Sequence, residues 1–513
     1  MSLGEFLLVA VLAVPALGAL VTAAVPQDRA ARLVGTVAAA LTLVGALALA
    51  AGRDGGWVRY APEATAGAVL PWHEIDLPWV PGLELRFHLG IDGISWPLVV
   101  LTALLTLLCC GYTMWRVPAH GGSGRALVAL LLTVEVGILG TFLALDLVLF
   151  FLFFEVVLLP MYAIIVGWGG DGADPAAVAA RRRAGRKFAL YTLFGSVLLL
   201  VGVYVVVAAA GTADVVALTG GTALTRGTQL AAFTLLAVAF AVKSPLWPLH
   251  SWLPDAHTQA PTVGSVLLAG VLLKMGTYGL VRIAVGVAPE GARWAAPVLG
   301  VLAVAAILVG SLVCLAQTEL KRLIAYSSVG HMGFVLLGVA TLTATGIQAA
   351  LIGNVAHGVI TGLLFFLAGA IKDRTHTGSL AELSGLRETA PRLSGLLAFA
   401  AVASLGLPGL AGFWGEAFAV VAAIEVGGPL WTTLAALAAL GGALTAAYLL
   451  RLLRRVTHGP PSPAVTTLAP GLAGAELAAW TPLVLLALAV GLAPTLVLGV
   501  AEAPVAALVE VLR

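Results

Sequence analysis

Residues 243–261 read KSPLWPLHSWLPDAHTQAP, and residues 267–279 read LLAGVLLKMGTYG. Both segments place a lysine, Lys243 or Lys274, beside or within a long apolar run. Two prolines follow Lys243 within five residues, and proline removes a backbone donor and clashes with the preceding helical turn. The first segment therefore predicts a helix that is broken next to a charged side chain.

The chain as a whole is far more apolar than a soluble protein. Of its 513 residues, 60% are hydrophobic and only 10% are charged, whereas about 25% are charged in an ordinary soluble domain. This composition excludes a soluble globular enzyme, a disordered chain and a nucleic-acid binder, which would need many more basic residues. The three cysteines are too few for an iron–sulfur cluster with four thiolate ligands, so we expect them to be buried hydrophobic residues.

The hydropathy pattern predicts an all-α polytopic membrane protein, because a bilayer core needs about 20 apolar residues per helix. Fourteen spans are expected, at residues 3–25, 31–51, 92–114, 126–144, 147–168, 188–210, 229–253, 262–284, 296–316, 322–343, 346–371, 393–424, 430–450 and 477–500. These segments do not alternate in polarity as transmembrane strands would. The first span lacks a charged leader and a cleavage site, so we expect it to be retained.

The basic residues test this count, since they gather on the inner side of a membrane. Alternate predicted loops carry 18 of the 27 basic residues, the opposite loops carry seven, and Lys243 and Lys274 fall within the membrane. The seven are Arg53, Arg59, Arg86, Arg226, Arg282, Arg293 and Arg513. The asymmetry predicts that both termini lie outside. Residues 52–91 are then the longest outside loop, and because they are rich in Trp and Pro we expect them to lie flat on the surface.

Several titratable side chains fall deep within predicted spans. The four charged ones are Glu155, Lys243, Lys274 and Glu416, and further candidates are His331, His357 and Glu135. A charge at the bilayer centre costs about 2.5–3.5 kcal/mol on insertion scales, so it needs a partner, water or a function. Lys, Glu and His can exchange protons near neutral pH when burial or a neighbouring charge shifts their pKa, which is the basis of a proton relay.

A structural alternative remains open for each of these side chains. A lysine can extend its amine to the membrane interface. A Glu–Lys pair can brace two helices without moving protons. A membrane histidine, or Glu135, can hold an interhelical hydrogen bond without titrating.

A second broken helix is predicted at Gly406-Leu-Pro408-Gly409, shortly before Glu416. Broken helices in corresponding halves of a transporter mark its ion site, and their freed backbone groups need protein or water partners. We therefore expect Ser244, Pro245, His250 and Pro408 to support a water path. The two breaks fall in the seventh and twelfth spans, which fits inverted five-helix repeats. The expected organisation is residues 1–125 for helices 1–3, 126–284 and 296–455 for the repeats, and 456–513 for the last helix.

Motifs spread along the chain resemble one known family. Besides residues 243–279, they are LGIDGI at 89–94, LDL at 145–147, LPMY at 159–162, LKRLIAYSSVGHMG at 320–333 and LPGLAGF at 407–413. Together they resemble the antiporter-like membrane subunits of respiratory complex I, and within that family the subunit M group that includes mitochondrial chain 4. Outside residues 89–420 the resemblance depends mainly on hydropathy.

The resemblance implies a role for each matching position. Glu155 and Lys243 would form the first acid–lysine pair, Lys274 would be the central relay lysine, His331 and His357 would line the onward path, and Glu416 would be the terminal acid. It also implies a proton-translocating subunit of NADH:quinone oxidoreductase, of the translocase class, in a bacterial plasma membrane.

The same resemblance implies partners and cofactors. We expect a hetero-oligomer with antiporter-like neighbours on both sides and the lipid bilayer around it. No metal, cofactor or redox centre is expected in this chain, whereas FMN, iron–sulfur clusters and quinone would belong to other subunits. Two alternatives remain: a subunit of a multi-subunit cation/proton antiporter, and a membrane subunit of an energy-converting hydrogenase.

Overall fold

The computed structural model describes residues 2–51, 71–80, 82, 85–118, 121–170, 172, 174–466 and 471–512. Within these ranges, twelve helices are long and apolar enough to cross a membrane. The chain is therefore a multi-pass α-helical membrane protein, as predicted. Arg53, Arg59 and Arg513, together with much of the predicted outside loop, lie outside the described residues.

The N-terminal segment combines helices with a β-hairpin. Its elements are α1 (Leu3–Ala24), α2 (Asp28–Ala48), β1 (His73–Val80), β2 (Leu85–Ile91) and α3 (Trp96–Trp115). The two strands pair antiparallel, with His73 opposite Ile91 and Val80 opposite Leu85. The prediction of a flat loop over residues 52–91 missed this hairpin, although polar and apolar residues alternate along both strands, which is the usual signature of a half-buried strand.

The next part of the chain carries the first broken helix. Its elements are α4 (Gly124–Leu143), α5 (Leu147–Val156), α6 (Leu158–Trp168), α7 (Pro175–Ala210), α8 (Val215–Leu218), α9 (Arg226–Lys243), α10 (Trp252–Gln259), α11 (Thr262–Leu267) and α12 (Leu273–Gly279). Two π-helical segments, Leu268–Leu272 and Leu280–Val285, flank α12. The seventh predicted span thus stops at Lys243, where Pro245 follows.

The second broken helix lies in the remaining part. Its elements are α13 (Pro289–Ala316), α14 (Leu320–Ala340), α15 (Ala344–Thr375), α16 (Leu386–Thr389), α17 (Pro391–Ser404), α18 (Gly412–Val426), α19 (Gly428–Thr457), α20 (Pro463–Thr466), α21 (Gly474–Leu492) and α22 (Thr495–Glu510). The predicted last span, 477–500, was too long, because the helix ends before Pro494 and α22 is a separate helix. The count of fourteen spans and the inverted repeats stay predictions.

The helices divide into a buried centre and an exposed rim. The apolar stretch within Thr262–Val285 is 100% buried and that within α15 is 94% buried, whereas the corresponding value for α7 is 33%. Side chains of α7 such as Leu190 and Tyr204 are therefore available to lipid or to a neighbouring subunit. The helices that carry Lys274 and His357 form the buried centre.

Side-chain caps fix where the charge-carrying helices begin. The Asp146 carboxylate accepts from the backbone N–H groups of Val148 and Leu149, both at 2.9 Å, and so starts α5. Glu319 caps α14 in the same way. Such caps contribute about 0.5–2 kcal/mol each. They set the register that places Glu155 and His331 within the membrane.

Candidate functional site

Lys274 lies at the centre of the molecule with its side chain completely buried. Its Nζ donates to the Ala269 carbonyl at 2.6 Å and lies 2.6 Å from Nδ1 of His357. The acceptor carbonyl belongs to the π-helical segment Leu268–Leu272. A wider π turn displaces the backbone hydrogen-bond pattern, and such turns are frequent at functional sites. The lysine therefore has one fixed partner on its own helix and one titratable partner on α15.

His331 continues this line of polar groups toward α18. Its ring centre lies 5.9 Å from that of His357, its Nδ1 lies 2.7 Å from Oε1 of Glu416, and its Nε2 lies 3.0 Å from the Ser404 hydroxyl. A cavity of about 30 Å³ is lined by both histidines, Glu416 and Ser404. That volume has room for one or two waters, which can bridge the histidines. Four predicted residues therefore lie next to one another in a single line of side chains: Lys274, His357, His331 and Glu416.

The broken helix between α17 and α18 gives Glu416 its position. Gly406 has φ +80° and Gly409 has φ +91°, on either side of Pro408. Both glycines adopt the left-handed conformation that other residues rarely tolerate. At Gly415 an added Cβ would lie 2.6 Å from the Gly353 Cα, so the absence of a side chain lets α18 approach α15 closely. The turn and the close packing together aim the carboxylate at His331.

The first acid–lysine pair is more open. Glu155 accepts a short hydrogen bond from the Ser196 hydroxyl on α7. Lys243 is 2% exposed, its Nζ lies 4.5 Å from the Phe154 ring centre, and this amine has no hydrogen-bond partner among the described residues. Glu155 is nevertheless close enough for its charge to act on Lys243. The two residues are electrostatic neighbours that do not touch.

The remaining predicted residues lie apart from this line. The Ser244 hydroxyl donates to the Phe240 carbonyl at 2.8 Å, within the helix that ends there. His250 lies near the Tyr326 ring, with ring centres 6.2 Å apart. Glu135 is fully buried, and neither of its carboxylate oxygens has a hydrogen-bond partner in the described part of the chain. The structure therefore does not join Ser244, His250 or Glu135 to Lys274, and their roles stay predictions.

Sequence reasoning missed several side chains that complete the site. Ser196 and Ser404 each bond one member of the predicted acid or histidine set. His257 is fully buried and stacks on Phe365 with ring centres 4.4 Å apart. The sequence could have pointed to His257, because it lies in the PDAHT motif at 254–258. A single serine in an apolar helix, such as Ser196 or Ser404, gives no such indication.

A basic cavity of about 350 Å³ lies toward the side that the charge count predicts to face inward. Its lining includes Arg116, Lys321, Lys372 and Asp373. Arg116 pairs with Asp373 at 3.0 Å, and Lys321 donates to the Ala260 carbonyl at 3.1 Å. The cavity has room for water on this side of the molecule.

A separate ionic cluster lies at the hairpin, outside the membrane. His88 is 3.1 Å from Asp214 and 3.1 Å from Glu74 through its two ring nitrogens. Burial alone would lower the pKa of His88, but the hydrogen bond to Asp214 and the surrounding carboxylates outweigh it and raise the pKa. Next to it, Arg86 binds Asp76 through two hydrogen bonds of 2.6 and 2.7 Å.

Arg282, counted from sequence among outside-loop residues, is buried. It lies in the π-helical segment Leu280–Val285 and pairs with Asp92 at 3.2 Å, with 2% and 4% of the two side chains exposed. Asp92 also accepts from the backbone N–H groups of Ile94 and Ser95, at the start of α3. The ion pair therefore connects the end of the central helix to the base of the hairpin.

Comparison with known proteins gives one consistent result. Residues 144–442 match the family described as NADH:quinone oxidoreductase/Mrp antiporter, TM. The chain is 39% identical to NADH-quinone oxidoreductase subunit M of Rhodobacter capsulatus over 495 residues, which is 94% of this chain and 91% of that protein.

Two solved structures are similar over nearly the whole chain. One is a chain of respiratory complex I from Thermus thermophilus with bound NADH, at TM-score 0.83 and 30% identity, covering 99% of this chain and 100% of the other. The second is a chain of the Mrp complex from Dietzia sp., at TM-score 0.85 and 25% identity, covering 99% and 97%. The similarity therefore extends well beyond the motif-bearing residues 89–420.

Proposed function

The chain belongs to the NADH:quinone oxidoreductase/Mrp antiporter membrane family, and from that premise we propose that it is a proton-translocating subunit of the membrane arm of NADH:quinone oxidoreductase. One observation supports this proposal most strongly. Lys274, His357, His331 and Glu416 form a line of titratable groups through the buried centre, with a small polar cavity at the gap between the two histidines. A structural scaffold has no need of such a line, because each group is costly to bury.

Protons would move along this line by changes in which group is charged. Lys274 would pass a proton to His357 through their direct contact, and water in the cavity would carry it to His331. Glu416 would receive it from Nδ1 of His331 and release it beyond α18. The basic cavity lined by Lys321 and Lys372 would supply protons from the inner side.

Glu155 and Lys243 would control this movement. A charge on Lys243 acts on its surroundings through a medium of low dielectric constant, so its effect reaches farther than in water. When Glu155 and Lys243 approach or separate, the preferred protonation of Lys274 would change in response. Moving one charge against 100 mV costs about 2.3 kcal/mol, which corresponds to a pKa difference of about two units.

The driving energy would come from other subunits. The chain has only three cysteines, and its G-x-G-x-x-G string, GWGGDG at 167–172, follows a membrane helix and not the β-strand that a dinucleotide-binding loop requires. We therefore assign FMN, iron–sulfur clusters and quinone to the partners and no redox centre to this chain. The subunit would lie in a bacterial plasma membrane, in a hetero-oligomer with antiporter-like neighbours on both sides. The whole assembly would be an enzyme of the translocase class, coupling quinone reduction to proton transfer.

The main alternative is a subunit of a cation/proton antiporter. The similarity to a chain of the Mrp complex supports it. In that function the same charged residues would exchange a proton for a cation without electron transfer. A membrane subunit of an energy-converting hydrogenase would use the same residues with another electron donor.

Composition and activity of the intact assembly distinguish these functions. The chain would be tagged and extracted in mild detergent, its partners identified by mass spectrometry, and the preparation assayed for NADH oxidation with a quinone. Flavin and iron–sulfur partners with NADH activity are expected. Small antiporter subunits without NADH activity would replace the proposal by the antiporter, and a nickel hydrogenase partner would replace it by the third function.

A further inference from the structure

The helix α7 is much longer than the bilayer requires. It has 36 residues, or about 54 Å at 1.5 Å per residue, whereas about 20 residues cross the hydrocarbon core. Its large exposed apolar side chains begin at Leu190. The preceding turns carry five basic residues, Arg181, Arg182, Arg183, Arg186 and Lys187. These turns therefore lie at the level of the lipid headgroups, on the basic side of the membrane.

Within the described part of the chain, two of these five basic residues have partners. Arg181 donates to the Gly169 and Gly172 carbonyls, and Lys187 pairs with Asp255 at 2.7 Å. Among the residues that the structure describes, Arg182, Arg183 and Arg186 have no hydrogen bond or ion pair, and all three are exposed. Their charges are available to a ligand.

Arg182 and Arg186 lie on one side of a groove between α6 and α7. They are four residues apart, so they project from the same helix face. The groove has a volume of about 520 Å³, and its other lining residues are Tyr162, Val166, Pro175, Val178 and Ala179. At its base α6 and α7 are in close contact, because a Cβ added at Gly185 would lie 2.5 Å from Val166. Arg183 does not line the groove.

We propose that this groove binds the headgroup of an anionic phospholipid from the inner leaflet. Two guanidinium groups on one face match the oxygens of a phosphodiester, which arginine binds with paired hydrogen bonds. Basic residues next to a membrane span attract anionic lipids. Pro175, Val178 and Ala179 precede Arg182 on α7 and so lie farther from the bilayer than the two guanidinium groups, where they would contact the part of the headgroup beyond the phosphodiester. Exposed Leu190, one turn beyond Arg186, marks where the acyl chains would begin.

Two features of the groove favour a phospholipid over the other possible occupants: the charge of the two arginines, and the apolar wall formed by Pro175, Val178 and Ala179. A free phosphate would use the guanidinium groups but would leave Val178 and Ala179 without a contact. An apolar segment of a neighbouring subunit would cover the wall but would leave two arginine charges without a counterion. The inference does not require the NADH-linked function, since either assembly would lie in the same membrane.

A photo-crosslink placed in the groove identifies its occupant. The exposed Ala179 would be replaced by p-benzoylphenylalanine in the full chain, and the intact complex would be purified and reconstituted in phosphatidylcholine nanodiscs with a small, limiting fraction of phosphatidylglycerol. After irradiation, mass spectrometry would separate lipid adducts from peptide adducts. We expect phosphatidylglycerol adducts in excess over its share of the lipid.

Matched arginine variants then test the recognition. Each headgroup-level arginine contributes about a fivefold change in lipid affinity, so the double variant Arg182→Gln/Arg186→Gln should lose about thirtyfold in adduct yield. Arg183→Gln, an equally exposed charge outside the groove, should leave the yield unchanged. All variants should keep wild-type levels of assembled complex.

Four results would overturn the proposal. They are adducts in simple proportion to the lipid mixture, an equal loss with Arg183→Gln, displacement of the lipid adduct by inorganic phosphate at millimolar concentration, and a peptide adduct from a neighbouring subunit. The third would establish a free phosphate site, and the fourth a protein interface. The wild-type adduct is informative even if the double variant does not assemble.

Discussion

The two ends of the proposed relay differ in how their charges are partnered. At one end, Glu155 is bonded to Ser196, while the Lys243 amine lies over the Phe154 ring without a hydrogen bond in the described part of the chain. At the other end, His331 contacts Glu416 and Ser404 directly. We call Glu155 and Lys243 the open pair, because they do not contact each other, and His331 and Glu416 the closed pair, because they do.

This difference suggests where the relay stores free energy. A buried ammonium without a counter-ion is strongly unfavourable, whereas a closed and hydrogen-bonded pair offsets much of the desolvation. A movement that brings Glu155 to Lys243 would stabilise a charge there and withdraw its influence from Lys274. The open pair would then act as the control element and the closed pair as the proton-releasing element. The predictions below test this assignment, in order of decreasing effect.

The largest effect is expected at the open pair. Lys243→Ala removes the charge that controls Lys274, so proton pumping should fall by at least about tenfold, the change that one pKa unit or 1.4 kcal/mol would produce. Pumping would be measured as acidification of inverted membrane vesicles, with the amount of assembled complex determined on native gels. Arg183→Gln is the control, because Arg183 is exposed and has no ion pair or hydrogen bond to any described residue. Normal pumping by an assembled Lys243→Ala complex would remove this residue from the relay.

A smaller effect is expected at the closed pair. Glu416→Gln keeps the shape and a hydrogen bond to His331 but cannot ionise, so proton release should slow about fivefold, the change produced by about 1 kcal/mol, a typical net hydrogen-bond contribution. Glu416→Asp keeps the carboxylate next to His331 and should be tolerated. The same vesicle assay compares the two variants. Wild-type rates for both would show that Glu416 only braces α18 against α14.

The residues of both pairs were predictable from sequence, but their difference in geometry was not. Charges in apolar runs and prolines beside them pointed to Lys243, Lys274 and Glu416, because burial of a charge is rare enough to be informative. The contact between His331 and Glu416 depends on a turn with two positive-φ glycines and on the approach of Gly415 to Gly353. Such long-range packing has no local signature in a single sequence.

Two further features show the same limit. The β-hairpin had a readable alternation, but its helical context and its length of eight and seven residues per strand made it easy to assign to a loop. The sequence does not single out Ser196, because serine is common in membrane helices, where its hydroxyl usually hydrogen-bonds to the backbone of the same helix. Fold and charged residues thus followed from hydropathy and motifs, whereas the hydrogen-bond partners required the structure.

The serine partners allow a more delicate comparison of the two ends. Ser196→Ala removes the donor that holds Glu155 on the α7 side, which should free the carboxylate to approach Lys243. Ser404→Ala removes the partner of His331 Nε2 but leaves the Glu416 contact intact. We expect about a twofold to threefold change in pumping rate for Ser196→Ala and less for Ser404→Ala, which corresponds to about 0.5 kcal/mol, the lower end of the range for a typical hydrogen bond. The pH profile of pumping distinguishes a shifted relay from simple loss of stability. An unchanged profile in both variants would contradict the comparison.

The smallest effect is expected outside the membrane, at the β-hairpin, which contacts the chain next to the helices α5 and α7 that carry Glu155 and Ser196. His88 joins the hairpin to Asp214, which follows α7, and its backbone carbonyl accepts from Leu145 just before α5. The charged groups around it are Glu74, Asp76 with its partner Arg86, Asp146 and Asp214. Burial lowers the pKa of His88, but the hydrogen bond to Asp214 and the charges of Asp214, Asp76 and Glu74 outweigh it and raise the pKa.

Because this pKa is raised above the unfolded value, the stabilisation is fully present below about pH 6.5 and is lost as the pH rises through the folded-state pKa. Hydrogen exchange of the purified complex should therefore show less protection of residues 85–91 and 213–215 at pH 8.5 than at pH 6, after correction for intrinsic exchange rates. His88→Gln should remove this pH dependence. If the pH dependence of protection persists in His88→Gln, the surrounding carboxylates cause it and His88 does not.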